Sequence, residues 1–282
     1  MKRMLPVSEL ARDSRFHQVS AEVTLFDPRN LHPAAQQNQL LPHLPRFSDN
    51  APGLIHGIFV GEIQALEGAG RTCFDFTTGD GRDEAPFGLK LDMARQCWDE
   101  ARHVEISCKL SEHMGSEIGE FAEGTTLYEA ACNADPVLRL TGVNRALEGL
   151  AIDVFKTMRD FGTTLSDPVL AYCEDWMLAD EVTHVKMGSD WLRRVTENDP
   201  ERRKKALEFQ GVVDKLFSYG GTRSDSQESP IGLARRFRDL AGFTDAEVES
   251  IAEVSLAALE ERKAAVAKMQ QAADAMAELA DA

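Results

Sequence analysis

Asp99-Glu100-Ala101-Arg102-His103-Val104 recurs 81 residues later as Asp180-Glu181-Val182-Thr183-His184-Val185. At the same offset Ala65-Leu66-Glu67-Gly68 recurs as Ala146-Leu147-Glu148-Gly149, and Phe74 keeps register with Phe155. Two four-letter matches sharing one offset mark a duplicated unit. In each half a lone Glu precedes the Glu of an ExxH by 33 residues. If each unit is a helical hairpin, those two glutamates sit level when the turn falls midway between them. The midpoints lie near residues 83.5 and 164.5, close to the Gly/Asp-rich run 77–83 in one half and inside the Gly-to-Ser-Asp-Pro run 161–168 in the other. Both runs carry turn chemistry. The spacing therefore predicts helices near 52–77, 84–114, 135–162 and 167–197, with Gly115 ending the second and 116–134 forming a long crossover.

Glu100 and His103 are three apart, as are Glu181 and His184, so each pair projects from one face of its helix. With Glu67 and Glu148 from the facing helices, the bundle interior would hold four carboxylates and two imidazoles. Six such groups are costly to bury without compensation, which a pair of divalent ions supplies. A single ExxH on a helix ordinarily marks a solvated ion pair, but two ExxH motifs related by a repeat, each with its own upstream Glu, match the ligand pattern of di-iron and di-manganese carboxylate bundles. The metal ligands expected are Glu67, Glu100, His103, Glu148, Glu181 and His184. Glu62 is five residues before Glu67, a poor spacing for a shared face, and is the weaker candidate of the two. The mixed oxygen and nitrogen donors, with no thiolate, favour two iron ions over zinc, while Mn/Fe or Mn/Mn would use the same atoms. Asp99 and Asp180 each precede an ExxH and are placed to accept the outer N–H of a metal-bound His, in a crossed sense: Asp99 with His184, and Asp180 with His103. By helical spacing Gln64, Gln96, Cys97, Thr141, Asn144 and Met177 are the neighbours expected to line a small substrate pocket.

The rest of the chain frames this core. Residues 1–50 carry four prolines and little apolar periodicity, and read as an irregular arm with a short strand at 19–26; 51–198 is the bundle, and 199–282 a helical extension. Thr244 and Glu247 form a capping-box signature at the start of the last helix. Its Ala-rich close is strongly helix-favouring and suits packing or a homodimer contact. At 282 residues the chain can bury a large core. It has 43% apolar residues, yet no run long enough to span a membrane and no apolar region behind Met1-Lys-Arg to make a signal peptide. Five cysteines without a CxxC read as reduced thiols in a cytoplasmic protein. A net charge of −16 argues against a phosphate-binding surface, so nucleic acid is disfavoured as a partner.

Glu62-Ile-Gln-Ala-Leu-Glu67, Asp99-Glu-Ala-Arg-His103 and Asp180-Glu-Val-Thr-His184 resemble the ferritin-like di-iron carboxylate superfamily, and within it a bacterial branch with ExQAxE followed by two DExxH motifs. Pro230-Ile-Gly-Leu-Ala-Arg-Arg236 and Ala241-Gly-Phe243 echo that branch more weakly, so the likeness covers about 52–245. The Arg of the first DExRH is absent from the second. The resemblance implies an all-α, ferritin-like four-helix bundle of two duplicated hairpins, holding a metal pair.

For function it implies a non-haem di-iron oxygenase or oxidase, with O2 as cosubstrate, a small organic molecule as substrate and an external electron donor where the reaction needs one. The alternative is a ferroxidase that handles iron. Storage bundles are little more than four helices, whereas about 50 residues precede and 85 follow this one. A rubredoxin-fused peroxide reductase would need iron held by four cysteines, for which there is no CxxC. A purely structural bundle that binds a partner helix through its tail leaves the six polar residues unexplained.

Overall fold

The computed structural model describes residues 51–121, 123–220, 223–225, 229 and 231–280. The expected arm at 1–50, with its strand at 19–26, lies outside the described residues. The protein is built of helices, and among the described residues the only β pairings are two isolated bridges, Thr78 with Ala85 and Arg223 with Ile231. The helices are α1 (Ala51–Asp75), α2 (Phe87–His113), α3 (Thr126–Ala131), α4 (Pro136–Thr141), α5 (Glu148–Leu165), α6 (Pro168–Val195), α7 (Pro200–Gly220), α8 (Arg235–Leu240) and α9 (Asp245–Ala280). A π-helical segment, Gly142–Leu147, joins α4 to α5 without a break.

Local chemistry sets the boundaries. Asp167 caps α6, its carboxylate accepting from the Val169 and Leu170 N–H groups at 3.0 and 3.1 Å, with Pro168 in the first turn. Asp135 and Pro136 do the same for α4. Just past α2 Gly115 takes φ +80°, and Ser166 ends α5 with φ +59°. The capping box forms as expected: the Glu247 N–H donates to the Thr244 hydroxyl at 3.3 Å, and the Thr244 N–H to the Glu247 carboxylate at 2.8 Å.

The two hairpins, α1–α2 and α5–α6, are the most extensively packed pairs in the molecule. They lie side by side with α2 antiparallel to α6, since His113 of α2 meets Asp167 at the start of α6 while Asp99 meets His184 far along it. The crossover between them carries α3. Gly188 of α6 lets the π segment approach closely, because a Cβ there would stand 2.6 Å from the Asn144 Cβ.

The C-terminal extension belongs to the same body. Leu233, Phe243, Val248 and Ile251 join the core made by Ile152, Phe155, Met158 and Met177 of the bundle. Asp153 of α5 is fully buried and accepts from the Arg238 guanidinium at 2.6 and 3.1 Å and from the Ala234 N–H at 2.8 Å. Arg145 of the π segment reaches Gln210 of α7, Ser189 of α6 and Glu247 of α9. Among the described residues no helix is long and apolar enough to cross a membrane.

Candidate metal centre

Six ionisable side chains converge inside the bundle at the level where α2 crosses α6: Glu62 from α1, Glu100 and His103 from α2, Glu148 at the start of α5, and Glu181 and His184 from α6. Each is at most 4% exposed. They form two overlapping groups, Glu62–Glu100–His103–Glu181 and Glu100–Glu148–Glu181–His184, and within each the potential ligand atoms lie within 4.8 Å of one another.

Glu100 and Glu181 belong to both groups. One Glu100 oxygen is 3.1 Å from His103 Nδ1 and the other 3.1 Å from His184 Nδ1. The Glu181 oxygens are 3.1 and 3.4 Å from the same two nitrogens. Each of these carboxylates thus spans the two groups, while Glu62, at 3.0 Å from His103 Nδ1, and Glu148 each serve one. Donor atoms held about 2.1 Å from an ion and at right angles to one another lie about 3 Å apart, so these separations suit ligation. Both Glu181 oxygens and His184 Nδ1 are buried with no hydrogen-bond partner among the described residues. Buried polar atoms left in that state are rare and costly, and a divalent ion satisfies them together with the carboxylate charge. The residues present therefore fit metal ions.

The imidazoles are oriented from behind. His184 Nε2 is 3.2 Å from Asp99 and His103 Nε2 is 3.3 Å from Asp180, the crossed pairing expected from sequence. With Nε2–H donating to an aspartate, each Nδ1 lone pair faces the glutamates. Arg102 binds both aspartates: it contacts Asp99 and is 3.3 Å from Asp180 while lying over the Trp176 ring. One arginine thus serves both halves, which accounts for Thr183 at the corresponding place in the second copy.

Electrostatics follow from crowding in a dry interior. Burial first, then the neighbouring carboxylates, push Glu62 and Glu148 well above the usual carboxylate range. Burial would also raise Glu100, but the two imidazoles beside it outweigh that and hold it below its ordinary value. Burial would lower His103 and His184, and the surrounding carboxylates reverse it and raise both. Two turns before Glu181, Glu174 is fully buried with neither oxygen hydrogen-bonded, and burial raises its pKa strongly.

One expectation is corrected. Glu67 is exposed and is not in the cluster; Glu62 takes its place. The reason is register. The loop between α1 and α2 spans residues 76–86, so its centre is residue 81, and residue 81 is also the midpoint of Glu62 and Glu100. Glu67 lies five positions further along α1, about 7.5 Å nearer the turn and on another face. The midpoint rule holds; the Ala-Leu-Glu-Gly repeat selects the wrong partner for it.

The six residues expected around a substrate pocket take several places. Gln96 donates to Glu100 and Glu148 and accepts from Asn144 Nδ2 at 2.6 Å, so Gln96 and Asn144 brace the clustered carboxylates. The Thr141 hydroxyl donates to the Leu138 carbonyl at 2.9 Å, Met177 is buried in the core, and half-buried Cys97 rests against the Leu66 carbonyl. Gln64 lines a cavity beside the site, a space of about 310 Å³ whose wall includes Glu62. Sequence reasoning gave the support role to Asp99 and Asp180 but missed Gln96, whose signal was its position one turn before Glu100.

No curated protein and no solved structure matches the chain. One family model does, over residues 7–249, which includes every residue of the cluster. The chain belongs to that family, described as a protein of unknown function, DUF455.

Proposed function

We propose that the protein is a non-haem di-iron enzyme of ferritin-like architecture, an O2-activating oxygenase or oxidase acting on a small organic substrate. The observation that carries this reading is the pair of carboxylates, Glu100 and Glu181, each offering one oxygen to either side of a site completed by one imidazole and one further carboxylate per side. The four-helix arrangement of that donor set, a Glu from each of two helices and an ExxH from each of the other two, is the pattern of di-iron and di-manganese bundles. Oxygen and nitrogen donors without thiolate favour iron or manganese. Ferrous ions held there would supply the electrons and the open coordination positions needed for O2 chemistry.

The chain's own contribution is positional. Glu62, Glu148, His103 and His184 fix separate sides, and Glu100 and Glu181 tie them together. Asp99 and Asp180 hold the imidazole tautomer, and Phe155, edge-on to the His103 ring at 6.2 Å, helps keep that side dry. The apolar cavity against Glu62 favours an enzyme over a storage protein, because mineral deposition calls for polar, carboxylate-lined routes.

The test is metal content after anaerobic loading with Fe(II), followed by the visible spectrum on adding O2. About two irons per chain and a transient visible band support the proposal. Many irons per chain after repeated aeration would establish the ferroxidase alternative, and no bound metal would overturn both.

A further inference from the structure

The cavity beside Glu62 has a composition that defines what it can hold. Its wall is made by α1, the crossover, the π segment and α5, with Phe217 of α7 and Ile231 closing it. Ile58, Leu127, Leu150, Val154 and Phe155 dominate the lining, and among the described residues neither Lys, Arg nor His contributes to it. Its polar side chains are already engaged or few. Gln64 Nε2 donates to the Val60 carbonyl at 3.0 Å, and Gln64 Oε1 accepts from the Tyr128 N–H at 3.0 Å. Among the described residues an anionic group placed inside would therefore find no cation, and its desolvation would go largely uncompensated.

Two glycines one turn apart open the α1 wall. Among the described residues nothing lies within 4 Å of where a Cβ on Gly57 would stand, and a Cβ on Gly61 would meet Leu127 alone, at 3.8 Å. Glycine within a helix is locally unfavourable, so its use at both positions keeps space free. The cavity ends against Glu62 and Phe155, both of which adjoin His103.

We infer that this cavity binds the uncharged alkyl or aryl portion of the substrate and presents it to the Glu62–His103 side of the metal centre. The inference rests on the functional reading above and adds to it a substrate class: neutral, predominantly apolar, and small enough for about 310 Å³, near the lower end of small-molecule sites at roughly 300–1,000 Å³. It also gives the C-terminal extension a function, since Phe217 and Ile231 complete the wall.

Decan-1-ol serves as the probe, titrated calorimetrically into full-length wild-type protein and into the Gly57→Leu and Gly61→Leu variants. Cobalt(II) content per chain is measured on the same samples. Saturable 1:1 binding to wild type, weakened at least about tenfold by either leucine with cobalt stoichiometry unchanged, is the expected result. No saturable binding to wild type, or binding that both leucine variants retain, overturns the inference. Absence of cobalt binding in wild type would instead sink the functional reading, so the two failures are distinguishable. Two leucine variants are used so that misfolding of one, seen as a lost thermal transition, leaves the other to decide.

Discussion

The two hairpins of the bundle descend from one repeated motif yet use it differently. In α2 and α6 the repeat holds residue for residue: Asp99 and Asp180, Glu100 and Glu181, His103 and His184 occupy matching places and face one another across the bundle. In α1 and α5 it does not. Glu148 is buried in the site while its sequence counterpart Glu67 is exposed, and Phe155 is 1% exposed where Phe74 is 82% exposed. The hairpins differ in their turns: eleven residues, 76–86, connect α1 to α2, and only Ser166 and Asp167 connect α5 to α6. A longer loop moves the level at which the facing helix meets the ExxH, and Glu62 lies at that level. Ligand position follows three-dimensional register, and sequence likeness along a repeat is a guide to it only where the connections have equal length.

The largest effect is expected from breaking the shared carboxylates. Glu100→Ala removes an oxygen from each side of the site, and metal analysis should find both ions lost. Glu148→Ala removes a ligand from the His184 side alone, and one ion per chain should remain. Equal losses in the two variants would contradict the division of the site into two spanning and two single-sided carboxylates.

The hairpins also differ in bracing. Asp153 of α5 is clasped by Arg238 from the C-terminal extension, with Arg223 nearby at 3.8 Å, all three fully buried. Asp153→Ala leaves the buried Arg238 guanidinium without its carboxylate, while Arg223 keeps Asp214 at 3.1 Å, and should cost about 3–5 kcal/mol in chemical denaturation. A cost below about 1 kcal/mol would show that the extension does not hold the second hairpin in place.

Asp99 and Asp180 offer a finer comparison. Replacing either by Asn weakens the hold on a His tautomer, and losses of about 10–100-fold in metal affinity are expected. Asp99 is nearly buried and also bound by Arg95 and Arg102, whereas the Asp180 side chain is 19% exposed. Competition with a chelator should therefore show the larger loss for Asp99→Asn.

Much of this was legible beforehand. The four long helices, the crossover, the capping box and five of the six clustered residues follow from period, spacing and turn chemistry. The crossed Asp–His pairs follow from both aspartates sitting beside an ExxH. What was not legible depends on geometry that sequence does not carry: the length of the α1–α2 connection, which selects Glu62, and the π-helical segment, which turns Asn144 onto Gln96. Beyond Gln64 the cavity was not legible, because two glycines and aliphatic residues from separate segments form most of it, and none has a motif.

Glu174 gives an effect that shows only as a slope against pH. Burial holds its pKa above the ordinary glutamate value, so above that value the native state binds more protons than the unfolded chain and stability falls as pH rises. Glu174→Gln removes this contribution. Thermal or denaturant unfolding across pH 5–8 should show a shallower decline for the variant, by at most about 1.4 kcal/mol per pH unit. Parallel curves would mean that Glu174 does not carry that proton.

The most direct test of the central claim is the metal content of Glu62→Ala and Glu67→Ala beside wild type, after identical anaerobic Fe(II) loading. Glu67→Ala is expected to bind as wild type does, while Glu62→Ala loses the ion on the His103 side. Full loading of Glu62→Ala together with depletion in Glu67→Ala would contradict the placement of Glu62 in the site.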